Sequence, residues 1–103
     1  MLTTTPVPKA ALKALTELTG EPRFEVALLI ALNDAVEHRL EKINVVIHAY
    51  EKQYGMSFEK FQEEGEKENI PNQFSCEVES DYLEWGGLIS RKEKLENIQQ
   101  WLI

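Results

Sequence analysis

Apolar residues recur every three or four positions along most of this chain, which is the spacing of one face of an α-helix. The longest such segment, residues 24–54, contains neither Gly nor Pro. At 1.5 Å per residue, a helix of this length spans about 46 Å. A compact chain of about 100 residues has a radius of gyration near 13 Å. We therefore expect this helix to extend beyond any single core that the chain can form.

Glycine, proline and serine residues mark where the helices begin and end. Gly20 and Gly55 suit left-handed C-terminal caps, Pro22 suits a first helical turn, and Ser57 suits an N-cap. Residues 65–74 are predicted to form a loop. We predict a single helical domain, residues 1–103, with a short N-terminal helix arm in 1–20, a long helix in 22–54, a short helix in 57–64 and a C-terminal helix in 75–102.

The apolar stripe of the long helix predicts how the chain assembles. Its residues repeat at intervals of seven, and further apolar positions make the stripe wider than a two-stranded coiled-coil seam. We predict an all-α fold in which the long central helix packs antiparallel on the C-terminal helix, within a dimeric helical bundle. The sequence alone allows either a parallel or an antiparallel dimer. The predicted dimer interface consists of Leu29, Leu32, Val36 and Ile43.

The C-terminal helix has its own stripe, which includes Tyr82, Trp85 and Leu88. Gly86 and Gly87 interrupt it, and each Gly costs a helix interior about 1 kcal/mol relative to Ala. Two explanations are open at this point: a kink in the helix, or a close contact with a neighbouring helix.

Composition narrows the possible partners. The chain has 11 basic and 18 acidic residues and a net charge of −7, which argues against general binding to nucleic acid. Residues 54–103 carry most of the acidic excess, so a basic partner is expected. The longest wholly apolar run, residues 26–32, is too short for a membrane span. A single cysteine and an N-terminus without signal-peptide features predict a cytoplasmic protein.

The strongest candidate for a binding surface lies at the start of the C-terminal helix. Within nine residues it combines four carboxylates, which can steer a basic partner, with two large aromatic side chains, which can anchor one. An alternative is that the acidic residues only favour the helix N-terminus and that the aromatic residues belong to the core. The predicted partner-binding residues are Glu77, Glu79, Asp81, Tyr82, Glu84 and Trp85.

Catalytic and cofactor chemistry has little support in the sequence. Asp34, His38 and Glu41 could share one face of the long helix, but the chain contains no Glu-x-x-His motif of the di-iron bundles. It also lacks a Gly-rich phosphate loop and a nucleophile elbow. We predict that the protein is not an enzyme and binds no cofactor or metal. Residues 9–29 have the outline of a helix-turn-helix, but the second helix opens mainly with apolar residues, which favours a packing corner.

Residues 40–43, 50–61 and 82–85 resemble a group of small bacterial and archaeal antitoxin-like proteins. The distinctive element is Tyr-Gly-Met-Ser-Phe-Glu at 54–59, followed by a helix with Glu84 and Trp85. The resemblance implies one component of a toxin–antitoxin pair, which neutralises a basic toxin protein through its C-terminal region. In some such proteins an N-terminal region also binds operator DNA, but the basic residues for that role are not evident here. The helical pattern alone equally allows a stand-alone structural or adaptor dimer.

Overall fold

The computed structural model describes residues 6–102, and in that range the chain forms four α-helices and no strand. The predicted all-α class is therefore confirmed. The first five residues of the predicted N-terminal arm, and residue 103, lie outside the described range. The helices are α1, Lys9–Thr19; α2, Phe24–Tyr54; α3, Phe58–Glu66; and α4, Cys76–Trp101.

Four of the helix ends follow from local signals in the sequence. Gly20 (φ 72°) and Gly55 (φ 69°) adopt the left-handed conformation that ends α1 and α2. Ser57 and Ser75 are the N-caps of α3 and α4, and each hydroxyl accepts a hydrogen bond from the backbone N–H three residues further on, at 3.2 Å. Gly20, Gly55 and Ser57 thus take the capping positions that the sequence suggested for them, and Ser75 caps the C-terminal helix.

The start of α2 differs from the sequence-based expectation. The helix begins at Phe24, two residues after the predicted start at Pro22. The Glu21 carboxylate accepts hydrogen bonds from the backbone N–H of Arg23 at 3.0 Å and from its guanidinium Nε at 2.8 Å. These bonds hold residues 21–23 in a turn, with Arg23 extended, so the helix can begin only after it.

The end of α3 also differs, because the helix passes through Gly65 to end at Glu66, two residues beyond the predicted end. The connection that follows is tied to this helix. The Gln73 side-chain amide donates to the carbonyl oxygen of Gly65 at 2.8 Å and accepts from the backbone N–H of Ile70 at 3.3 Å. Ile70 itself is only 5% exposed. The connection is therefore anchored both by hydrogen bonds and by a buried side chain.

The core lies where α3 and the beginning of α4 meet the end of α2. Trp85 is its centre, with no exposed surface. The ring centroids of Tyr50 and Tyr54 lie 5.5 and 5.8 Å from that of the indole, and those of Phe58 and Phe61 both lie at 5.3 Å. These separations are typical of favourable aromatic pairs. The other buried members of this cluster are Ile47 and Ile70.

The described chain is elongated, measuring 56 × 34 × 24 Å with a radius of gyration of 19.8 Å. A compact chain of this length would have a radius of gyration near 13 Å. The aromatic core occupies one end of α2, while α1 lies against the same helix and has no buried residue of its own. Much of the long helix is therefore covered on only part of its circumference.

The double glycine in α4 reflects a close contact at Gly86 within an uninterrupted helix. A Cβ atom built on Gly86 would lie 3.1 Å from Cζ of Phe58, which is tighter than an ordinary van der Waals contact. A Cβ atom on Gly87 would meet nothing within 4 Å. Of the two explanations left open by the sequence, close approach accounts for Gly86. Nothing in the structure explains Gly87.

Alanine at these two adjacent glycines should therefore have opposite effects. Gly87→Ala should raise the free energy of unfolding by up to about 1 kcal/mol, because Ala is the better helix former. Gly86→Ala should lower it, because the Phe58 ring is held between Tyr82 and Trp85 and cannot move away freely. Urea denaturation of both variants measures the difference. Equal stabilisation by both substitutions would show that the contact at Gly86 is not restrictive.

Candidate protein-interaction surface

The predicted partner-binding residues occupy the first three turns of α4, but they do not form one surface. Trp85 is fully buried and packs against rings from α2 and α3. It leaves no atoms for a partner to contact, so its inclusion in the surface is corrected. For this residue the alternative interpretation as part of the core holds.

Asp81 connects α4 to the end of α2. Its Oδ2 atom accepts hydrogen bonds from the Tyr54 hydroxyl at 2.5 Å and from the Gln53 side-chain amide at 3.2 Å. Burial, followed by this hydrogen bond, raises the pKa of Tyr54 to about 12. Burial and the nearby Glu84 carboxylate likewise raise the pKa of Tyr50 to about 12. Asp81 and Glu84 thus face the tyrosines of α2.

A groove opens on the other side of α4. It has a volume of about 470 Å³ and lies between α3, the connection 67–75 and the first turns of α4. We refer to it as the α3–α4 groove. Of the predicted residues, Glu79 and Tyr82 line it, whereas Glu77 and Asp81 line a separate, smaller depression beside Tyr54. The other residues that line the groove are Phe61, Gln62, Gly65, Glu66, Ile70, Gln73, Phe74, Val78 and Leu83.

Two large apolar side chains at this groove are unusually exposed. Phe74 and Leu83 each have 72% of their surface exposed, while Tyr82 has 40%. The Tyr82 hydroxyl accepts a hydrogen bond from the Gln62 amide at 3.3 Å, and its ring stacks on Phe58. Sequence reasoning missed Phe74 and Leu83. The available signal was their position as large apolar residues outside the predicted core stripe.

The groove lies in the most acidic part of the chain. Residues 54–90 contain nine carboxylates and only two lysines. One of these, Lys60, has its ammonium group 3.2 Å from a Glu64 carboxylate oxygen and 3.7 Å from one of Glu63. The charged residues that line the groove, Glu66 and Glu79, are both acidic. A cationic ligand would therefore meet a favourable potential here.

The predicted dimer-interface residues on α2 are also divided. Leu29 and Leu32 are 44% and 42% exposed, whereas Val36 is 6% exposed and Ile43 packs against the aromatic core. The side chains of Val36 and Ile43 are thus largely covered by contacts within the same chain. We use the term α2 stripe for the exposed apolar residues on one side of this helix, which are Leu28, Leu29, Leu32 and Val46.

Other kinds of site have less support in the described part of the chain. Asp34, His38 and Glu41 are exposed, and residues 6–102 contain no group of three or more His, Cys, Asp or Glu side chains that could hold a metal ion. None of the helices in this range is long and apolar enough to cross a membrane. No protein-family model, curated protein or solved structure matches the chain.

The raised pKa of Tyr54 should make stability depend on pH in the alkaline range. The hydroxyl ionises near its usual pKa of about 10 in the unfolded chain but only near 12 in the folded one. Its contribution to stability should therefore be complete below pH 10 and be lost as the pH rises toward about 12. Tyr54→Phe removes this ionisation, so its free energy of unfolding should fall less steeply than that of the wild type.

Urea denaturation between about pH 9 and about pH 11.5 would measure the two slopes. Gln53→Ala is the control, because it removes the other side-chain hydrogen bond to Asp81 without removing an ionisable group. We expect it to keep the wild-type slope. If Tyr54→Phe kept the wild-type slope, the ionisation of the Tyr54 hydroxyl in the wild type would not be linked to folding.

Proposed function

We propose that this chain is a non-catalytic, cytoplasmic interaction protein of the antitoxin type, which binds a basic protein through its α3–α4 end. The observation that carries the proposal is the excess of carboxylates around an exposed apolar groove. The carboxylates supply long-range attraction, and the apolar side chains supply contact area once the partner has docked. A catalytic role is not needed to account for this combination.

The proposed fold has α4 antiparallel to α2. Support comes from the order of the contacts between the two helices. Asp81 contacts Tyr54, and Trp85 contacts Tyr50, so a later residue of α4 meets an earlier residue of α2. This arrangement brings the start of α4 beside α3 and gives the groove its two helical walls.

Co-expression with the product of the neighbouring gene tests the proposed function. We expect a stable mixed complex in native mass spectrometry, and an association rate that falls as salt is added. Glu79→Lys should slow association severalfold, because it reverses a charge at the groove. Glu41→Lys is the matched control, since it makes the same change on an exposed position of α2. Asp81 is unsuitable for this test because it bonds Tyr54.

Two results would count against the proposed function. The first is a neighbouring protein that forms no complex with this chain. The second is a complex whose association rate changes neither with salt nor with Glu79→Lys, because steering by carboxylates predicts that both slow association.

A second candidate function is a structural or adaptor homodimer, which the α2 stripe favours. The four residues of the stripe, Leu28, Leu29, Leu32 and Val46, extend over about 27 Å of the helix. Arg39 is the charged residue closest to the middle of the stripe. An apolar surface whose nearest charged residue is basic suits a second copy of the same surface better than a basic partner.

Leu29→Glu tests this dimer. Because Leu29 is 44% exposed, a charge there should leave the single chain folded but should disrupt an interface that buries it. We expect the wild type to be dimeric and the variant to be a soluble monomer by light scattering. Val45→Glu is the control, since Val45 is 69% exposed and lies about 160° around the helix from Leu29. A dimeric Leu29→Glu, or a monomeric wild type, would rule out this interface.

A further inference from the structure

We propose that the α3–α4 groove recognises a basic amphipathic peptide segment by accepting its apolar anchor side chains between Phe74 and Leu83. The inference rests on the proposed function, which it makes specific by naming the binding site and the chemistry of the segment. It also names two new binding residues, because neither Phe74 nor Leu83 belongs to the partner-binding set predicted from the sequence.

The backbone on both sides of Phe74 is held in place. The preceding residue, Gln73, bonds the carbonyl oxygen of Gly65 through its side chain, and the following residue, Ser75, caps α4. Phe74 nevertheless has 72% of its surface exposed. Leu83 is equally exposed, on a helix whose position is fixed by the buried Trp85 two residues later. Both apolar side chains are thus presented to solvent by an ordered backbone.

The space beside these residues suits apolar side chains. Phe61 and Ile70, which are 3% and 5% exposed, line the groove together with the half-buried Val78. A volume of about 470 Å³ is within the range of roughly 300–1,000 Å³ found for ligand pockets in proteins. An amphipathic helix could place anchor residues three or four positions apart in such a space.

The charges select the class of segment. Glu66 and Glu79 line the groove, and Glu63 lies on the preceding turn of α3. An apolar segment flanked by Lys or Arg could pack against the apolar lining of the groove and pair its charges with these carboxylates. An acidic segment would be repelled. A second copy of this chain is a poorer occupant of this groove, because the chain carries a net charge of −7.

Selection from a random peptide-display library on the full-length protein would test the inference without any assumption about the natural partner. We expect the enriched peptides to share apolar or aromatic residues three or four positions apart, flanked by Lys or Arg. Phe74→Ser and Leu83→Gln should each weaken binding of a selected peptide at least tenfold. Glu79→Lys should weaken it severalfold and reduce its dependence on salt.

Val45→Gln is the matched control, because it removes a comparably exposed apolar side chain from α2. It should leave peptide affinity unchanged. Circular dichroism would verify that every variant keeps its helices, as expected for exposed positions. Selected peptides that are neutral or acidic, or that bind the Phe74 and Leu83 variants as tightly as the wild type, would overturn the inference. So would a groove that takes up the neutral dye Nile red while no peptide is enriched.

The two proposals can fail separately. If the neighbouring protein forms a complex that survives Phe74→Ser and Leu83→Gln, the role as a binder of that protein stands, but its binding site is not the groove. If basic amphipathic peptides bind the groove but the neighbouring protein forms no complex, the groove stands and the partner must be sought elsewhere.

Discussion

The fold depends on the burial of the Trp85 indole between α2 and α3. Burying a side chain of this size removes roughly 200 Å² from water, which is worth about 5 kcal/mol at about 25 cal/mol per Å². Its Nε1 atom is buried and has no hydrogen-bond partner within residues 6–102. Such an unpaired donor costs about 1–3 kcal/mol, so the burial remains favourable. Gly86, the next residue, allows Phe58 to approach closely and complete this packing.

The position of Trp85 also explains why the rest of the molecule is extended. It attaches the beginning of α4 to the end of α2, around Tyr50 and Tyr54, and the connection 67–75 is held there by Ile70. The aromatic core is therefore concentrated at one end of a 31-residue helix. Away from this end, apolar side chains of α2 such as Leu28, Leu29 and Leu32 remain exposed, although α1 and α4 both contact this helix. A large exposed apolar surface on a folded chain commonly marks an interaction site.

The sequence predicted those parts of the structure that depend on neighbouring residues. The caps at Gly55 and Ser57 are local, so they could be recognised directly. The end of α3 could not, because the connection after it is tied back to Gly65 by the side chain of Gln73, eight residues further on. The start of α2 depends on a local bond between Glu21 and Arg23, and it was missed because Pro22 is itself a signal for a first helical turn. Tyr82 and Trp85 share one helical stripe, and it is the packing of both α2 and α3 around Trp85 that buries it while Tyr82 remains 40% exposed. The groove was missed because the path of residues 67–75 brings Phe74 to α4.

The charge around the α3–α4 groove restricts how two chains could pair along the α2 stripe. Residues 54–90 hold nine carboxylates and two lysines, and they lie around one end of α2. A parallel dimer along the α2 stripe would bring two such acidic ends together. Repulsion between charges is effective over roughly 8 Å at physiological ionic strength, so this arrangement would be opposed. An antiparallel dimer would hold the acidic ends apart and leave each groove open to a basic segment. For the proposed dimer, the charge distribution thus favours antiparallel pairing along α2, in which self-association would not compete with the binding of a basic partner.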